Sequence, residues 1–151
     1  MALIRVDFID YTTEIDAPVE EVFRRFKDLE KWPSWTTAIK KASRKSEGDW
    51  QVGFKLGFEA DLLPMPLEVK VIDFEENRLV AWGIRSPVAT IVHQFDFEPL
   101  NEGRCRVRHT EWAEGLLAIL TWPMRAKIEA FDRLLADDMK AACEKAQRSD
   151  S

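Results

Sequence analysis

This 151-residue sequence predicts an α+β domain in which a curved antiparallel sheet grips one long C-terminal helix. Three observations carry that reading. Apolar and polar residues alternate with a period of two through much of the segment 52–112, the mark of half-buried strands. Short turn-forming clusters divide that segment into hairpins. The last quarter changes to apolar steps of three and four residues, forming the only long helical stripe able to cover the sheet.

The elements follow in order. An opening strand covers 3–15. Asp16-Ala17-Pro18 marks a helix start, with Asp16 near the cap and Pro18 tolerated in the first turn. Val22, Phe23 and Phe26 continue at helical spacing, and Glu20 and Glu21 suit the positive end of the helix dipole. Lys31-Trp32-Pro33-Ser34-Trp35 breaks this helix, and a second short helix or turn leads to Ile39. Trp32 and Trp35 are read as its anchors.

Val52, Phe54, Leu56 and Phe58 alternate with Gly53, Lys55 and Gly57, as in a strand packed on one face. Segments 67–74 and 79–84 flank Glu75-Glu76-Asn77-Arg78 as a hairpin, and 89–97 and 104–112 flank 99–103 as another. Met124, Ile128, Phe131, Leu135, Met139 and Ala142 line one face of the terminal helix, with Leu120, Met124, Ile128 and Phe131 directed at the sheet. Lys127, Glu129, Asp132, Arg133 and Lys140 take other positions. Pro123 either kinks this helix or starts it. One domain over 1–147 and a frayed tail at 148–151 complete the organisation.

Composition narrows the partners. Apolar residues make up 46%, enough for a sizeable core, and the net charge of −5 offers no footprint for nucleic acid or anionic membrane. No long uncharged apolar run is present, so stable membrane insertion is not expected. The N-terminus lacks the three sections of a secretory signal. Cys105 and Cys143 stand outside any CxxC pair and read as buried thiols in a reducing compartment. A cytoplasmic monomer or homodimer is therefore expected.

The segment 92–112 is the most informative chemically. If the loop 99–103 closes the hairpin, Glu98 lies opposite Arg104, Asp96 opposite Arg106 and Gln94 opposite Arg108. On the other face Phe97 meets Cys105 and Phe95 meets Val107, matches that a one-residue slip would destroy. The same register sets His93 opposite His109 and Ile91 opposite Glu111, with Glu111 diagonal to His93. These are the only two histidines, and both point to the apolar face.

Four readings of that cluster stand side by side. It is a satisfied polar network in an apolar interior, or a set of hydrogen-bonding groups for the polar end of a hydrophobic ligand. It is an acid–base pair of His93 with Glu111, or a metal site, for which these residue types are legitimate ligands. The spacing along the strands matches no ligand motif, so no metal and no cofactor are expected.

Six Trp and nine Phe against one Tyr, many on strand-like alternations, can line either a packed core or a cavity. Candidate ligand contacts are Phe54, Phe58, Val69, Trp82, Ile91, His93 and Phe95 on the strands. His109 and Glu111 join them from the last strand, and Leu120, Met124, Ile128 and Phe131 from the helical segment. Each apolar residue among these is equally an ordinary core residue.

The sequence also resembles the START/Bet v 1-like superfamily, especially its bacterial polyketide cyclase/dehydrase-like branch, over nearly its whole length. Ile15-Asp16-Ala17-Pro18-Val19-Glu20-Glu21-Val22-Phe23 resembles that family's strand-to-helix junction, and Asp28 with Trp32-Pro33-Ser34-Trp35 its helix pair. Arg78-Leu79 with Trp82 is similar to one of its strands. His93-Gln94-Phe95-Asp96-Phe97-Glu98-Pro99 and Thr110-Glu111-Trp112-Ala113-Glu114-Gly115-Leu116-Leu117 are similar to its closing segments, with a departure at Trp112-Ala113. The resemblance implies a helix-grip fold: seven strands around the C-terminal helix, with two short helices after the first strand.

The resemblance further implies an internal cavity for a lipid-, sterol- or polyketide-like molecule that the protein binds or carries. One alternative is a cofactor-independent cyclase, aromatase or dehydratase using His93 and Glu111. Another is a co-chaperone-like interaction module on the same scaffold, which predicts an exposed apolar patch.

Overall fold

The computed structural model describes residues 4–87 and 89–150. Strand β1 (Ile4–Ile15) leads to helix α1 (Val19–Lys27) and a 3₁₀ helix (Leu29–Ser34). Strands β2 (Lys41–Arg44), β3 (Lys55–Glu59), β4 (Leu67–Glu75), β5 (Leu79–Arg85), β6 (Thr90–Asn101) and β7 (Arg104–Gly115) follow. A second 3₁₀ helix (Ala118–Met124) then feeds α2 (Arg125–Asp150). The strands form one antiparallel sheet in the order β1-β7-β6-β5-β4-β3-β2. This is the helix-grip fold that the sequence implies.

Several local expectations are corrected. Pro18 itself takes the N-cap position of α1 with no side-chain cap, and Asp16 instead accepts a hydrogen bond from Arg104 Nε at 2.7 Å. The Trp32-Pro33 step lies inside the first 3₁₀ helix, because α1 has already ended at Lys27. Val52 is not in a strand: Gly53 has φ +94°, which breaks the alternation, leaving Val52 63% exposed while Trp50 and Phe54 turn inward. Strand β2 carries no periodic signal in the sequence, being a four-residue edge strand with only Ala42 buried. The chain between β7 and α2 is 3₁₀ through Pro123, and α2 starts two residues later, at Arg125. The helix runs on to Asp150, past the expected start of the tail.

The turn joining β4 to β5 follows its sequence. Asn77 adopts φ 62°, a left-handed conformation that Asn tolerates better than most residues, and Arg78 N–H donates to the Glu75 carbonyl at 3.0 Å. In the β6–β7 hairpin the register differs by two residues. Glu98 pairs with Arg106, Asp96 with Arg108, Phe97 with Val107, and His93 with Glu111. The cause is a continuation of β6 through a bulge between Pro99 and Asn101, closed by Gly103 N–H donating to Asn101 Oδ1 at 2.8 Å. A slip of two leaves every side chain on its expected face. The arginines of β7 also pair across to β1: Arg104 and Arg106 reach Glu14, and Arg108 reaches Asp10.

The concave face holds the core. Phe26 of α1 is its hub, with ring centroids 4.7 Å from Phe95, 5.5 Å from Phe97 and 5.7 Å from Trp82. Trp32 packs on Phe26 and donates its indole N–H to the Phe26 carbonyl at 2.9 Å, so that the large ring is buried with its polar atom satisfied. A smaller apolar cluster around Val6, Phe8, Ala113 and Ile128 lies apart from this one. Helix α2 crosses β1 and is tied to it by polar contacts: Tyr11 Oη donates to Asp137 at 2.7 Å, and the Asp16 N–H donates to Glu144 at 2.9 Å. Cys105 and Cys143 are buried and unpaired, and burial pushes their thiols up to about 12 and about 11, which disfavours the reactive thiolate.

Among the described residues no helix is long and apolar enough to cross a membrane. The link after β7 and the second 3₁₀ helix nevertheless leave Leu116, Leu117, Ile119, Leu120, Trp122 and Met124 exposed. Leu120, 60% exposed, therefore faces solvent instead of the sheet, because a 3₁₀ turn does not extend the 3.6-residue stripe of α2.

Truncating the core hub tests this packing. Phe26→Ala should cost about 3–5 kcal/mol, read as a lower urea midpoint at unchanged m-value.

Candidate functional site

A cavity of about 140 Å³ opens where the two apolar clusters fail to meet. Trp32, Ile39, Phe58, Val69 and Trp82 form its wall from the sheet, the first 3₁₀ helix and the loop that follows it. Ile128, Phe131 and Leu135 of α2 close the opposite side, and Leu62, Leu63 and Pro64 of the β3–β4 loop border it. Pro64 and Met124 are the lining residues that are themselves solvent-exposed. The strand alternation explains the wall: Val69, Trp82 and Phe58 occupy inward positions of neighbouring strands.

His93 and Glu111 supply the polar part of that lining. They are direct partners across β6 and β7, and their side chains are in contact, His93 Nε2 against Glu111 Oε1. Asp132 arrives from α2 with its Oδ1 3.2 Å from His93 Nε2 and 3.9 Å from His109 Nε2. His109, two residues before Glu111 on β7, stacks on Phe95 with centroids 4.1 Å apart and lies edge-on to His93 at 4.9 Å. The contacts of His93 lack hydrogen-bond geometry, and both His109 nitrogens and both Asp132 oxygens are buried without a hydrogen-bond partner.

Charge shapes this cluster. Burial pushes the His93 imidazole down, but the Glu111 and Asp132 carboxylates together overcome it and raise it to about 10. His109 is pushed by burial to about 3, against the attraction of Asp132. Burial raises Glu111 above the usual carboxylate range, and Asp132 adds to this while His93 opposes it. Asp132 is also penalised by burial, yet the His93 charge beside it brings its carboxyl below its ordinary value. The directions favour a charged pair of His93 with Asp132 beside a neutral His109, while Glu111 holds its proton more tightly than an ordinary carboxyl. The charges of that pair balance, as burial demands.

Of the candidate contacts, Phe58, Val69, Trp82, Ile91, His93, Glu111, Met124, Ile128 and Phe131 line the cavity. Phe54 instead stacks on Trp50, Phe95 and His109 lie in the layer behind the lining, and Leu120 is on the surface. The expected opposition of His93 to His109 is corrected by the two-residue register, which makes Glu111 the direct partner of His93. Asp132, expected away from the apolar stripe of α2, is 0% exposed. The sequence does carry a signal for it: Asp132 lies four residues after Ile128 and three before Leu135, inside the stripe that Ile128, Leu135, Ala136, Met139 and Cys143 bury.

The sequence matches the model of the polyketide cyclase/dehydrase and lipid transport family over residues 9–147. No curated protein sequence matches the chain. A START superfamily protein from Mycobacterium smegmatis superimposes with a TM-score of 0.75 at 15% identity, covering 93% of this chain and 99% of that one. The Zhui aromatase/cyclase from Streptomyces sp. R1128 gives 0.70 at 16%, covering 99% and 97%. Truncated norcoclaurine synthase from Thalictrum flavum gives 0.67 at 14%, covering 93% and 94%. At these identities the likeness is one of fold.

Removing Asp132 should expose the energetics of the cluster. Asp132→Leu is expected to cost roughly 3 kcal/mol in urea unfolding, the low end for breaking a buried pair, because Glu111 can ionise in its place. Adding His93→Leu should recover part of that loss, giving a clear coupling in a double-mutant cycle.

Proposed function

The chain belongs to the polyketide cyclase/dehydrase and lipid transport family, and we propose that it binds or carries a small hydrophobic molecule in the internal cavity. The single observation that supports this most is an apolar wall with His93 and Glu111 as its polar groups. A hydrophobic molecule gains by leaving water for such a wall, while one or two polar groups orient it.

Magnitude narrows the ligand class. An engineered protein cavity of about 150 Å³ holds one benzene molecule, so about 140 Å³ suits a single ring or a short branched chain. A sterol or a polycyclic polyketide needs more room, which outward movement of the β3–β4 loop around Pro64 would supply. The favoured ligand carries one oxygen function to meet Glu111 or His93.

A second reading, a cofactor-independent cyclase- or dehydratase-type enzyme, draws on the charge state of the same pair. A carboxyl that holds its proton more tightly than usual and an imidazole that favours its charged form border an apolar cavity, where they are positioned to donate protons to a bound carbonyl or hydroxyl group. In that reading, Glu111→Gln and His93→Ala variants that fold should lose turnover of an identified substrate; wild-type rates in both would remove it.

Ligand binding is measurable directly. Phenols, short-chain alcohols and fatty acids screened by thermal shift and native mass spectrometry should yield at least one compound that raises the melting temperature. Val69→Phe, which fills the cavity, should abolish that shift while leaving a cooperative melt. A panel without any stabilising compound would sink the proposal.

A further inference from the structure

We propose that His93, His109 and Asp132, with Glu111 beside them, form a binding site for one divalent transition-metal ion, with zinc the best match. One donor atom from each of the first three lies within 4.8 Å of the others. Four-coordinate zinc, with bonds of about 2.0–2.1 Å to imidazole and carboxylate, sets neighbouring ligand atoms about 3.3–3.4 Å apart. His93 Nε2 to Asp132 Oδ1 is already 3.2 Å, and His109 Nε2 to the same oxygen is 3.9 Å. The three donor atoms, all within 4.8 Å of one another, draw in around an ion, and Glu111 supplies a fourth ligand and second carboxylate.

His109 distinguishes this site from a plain ion-pair network. Charge contacts among His93, Glu111 and Asp132 account for those three residues, but they leave both nitrogens of His109 without a hydrogen bond. His109 is 1% exposed and Asp132 is 0% exposed, so neither reaches bulk water. Buried polar groups nearly always have a partner. An ion among the donor atoms takes one atom from each of His93, His109 and Asp132 and so gives His109 the partner it lacks.

The donor chemistry selects the ion. Two imidazoles rule out a calcium or magnesium site, which needs an oxygen shell, and suit zinc and its neighbours in the first transition row. Binding displaces the protons held by His93 and Glu111, and the Asp132 and Glu111 carboxylates then offset the double positive charge in an otherwise apolar interior. Strand spacing hides the site, since one ligand comes from β6, one from β7 and one from α2. Binding here does not depend on the cavity holding an organic ligand.

The test uses the full chain, stripped with a chelator and titrated with zinc chloride by calorimetry and with cobalt(II) by visible absorption. Expected are one zinc ion per chain, a raised melting temperature, and the intense visible bands of four-coordinate cobalt. Asp132→Asn, which keeps the side-chain shape, and His109→Gln should each weaken zinc binding by at least about 100-fold. Only the weak bands of six-coordinate cobalt, no saturable zinc binding, or zinc affinity unchanged in both variants would overturn the assignment. If either variant fails to fold by circular dichroism, the wild-type cobalt spectrum decides alone.

Discussion

The contact of Asp132 with His93 joins the C-terminal helix to the sheet at a point where nothing else polar is buried on that helix face. A buried ion pair is weak evidence for stability, because desolvation offsets much of its attraction. Its effect here is on position. Rotating α2 would carry a fully buried carboxylate into an apolar wall and strand an imidazolium, so one helix phase is favoured over its neighbours. Tyr11 with Asp137, and Asp16 with Glu144, hold the same phase from the β1 side.

The cavity follows from that phase. The aromatic core around Phe26 packs against β4–β7, and the aliphatic cluster around Phe8 and Ile128 packs near the other end of α2. Between them the helix presents Ile128, Phe131 and Leu135 to Trp82 and Phe58 across a gap. Large rings fixed on both sides by their own neighbours cannot collapse into it, since interiors relax only partially around a void. His93 and Glu111 then border the gap because their strands pair there.

Apolar surface is distributed unevenly outside the cavity. The exposed side chains of 116–124 adjoin the cavity through Met124, which is both solvent-exposed and part of the lining. The same segment thus connects the interior to the largest run of exposed hydrophobic residues in the described chain. Exposed apolar runs of this kind are uncommon on monomeric proteins and mark places where surfaces meet.

Much of the architecture is legible in the amino-acid sequence. Period-two alternation marks β4 to β7, Asn77 marks its turn, and the i, i+3, i+4 apolar steps mark α2, because these signals arise from neighbours in the chain. The inward placement of His93, His109 and Glu111 is also readable, since parity along a strand survives a slip of two residues. Which of them touch is not. The bulge after Pro99 sets the register, and a bulge is a tertiary compromise between twist and loop closure. Asp132 reads as one more helix charge, and only packing against the sheet buries it. The sequence by itself determined the fold, the faces and the residue types available for chemistry. Only the tertiary structure decided that two imidazoles and two carboxylates from three elements converge at the cavity, because such contacts depend on how elements pack and not on spacing along the chain.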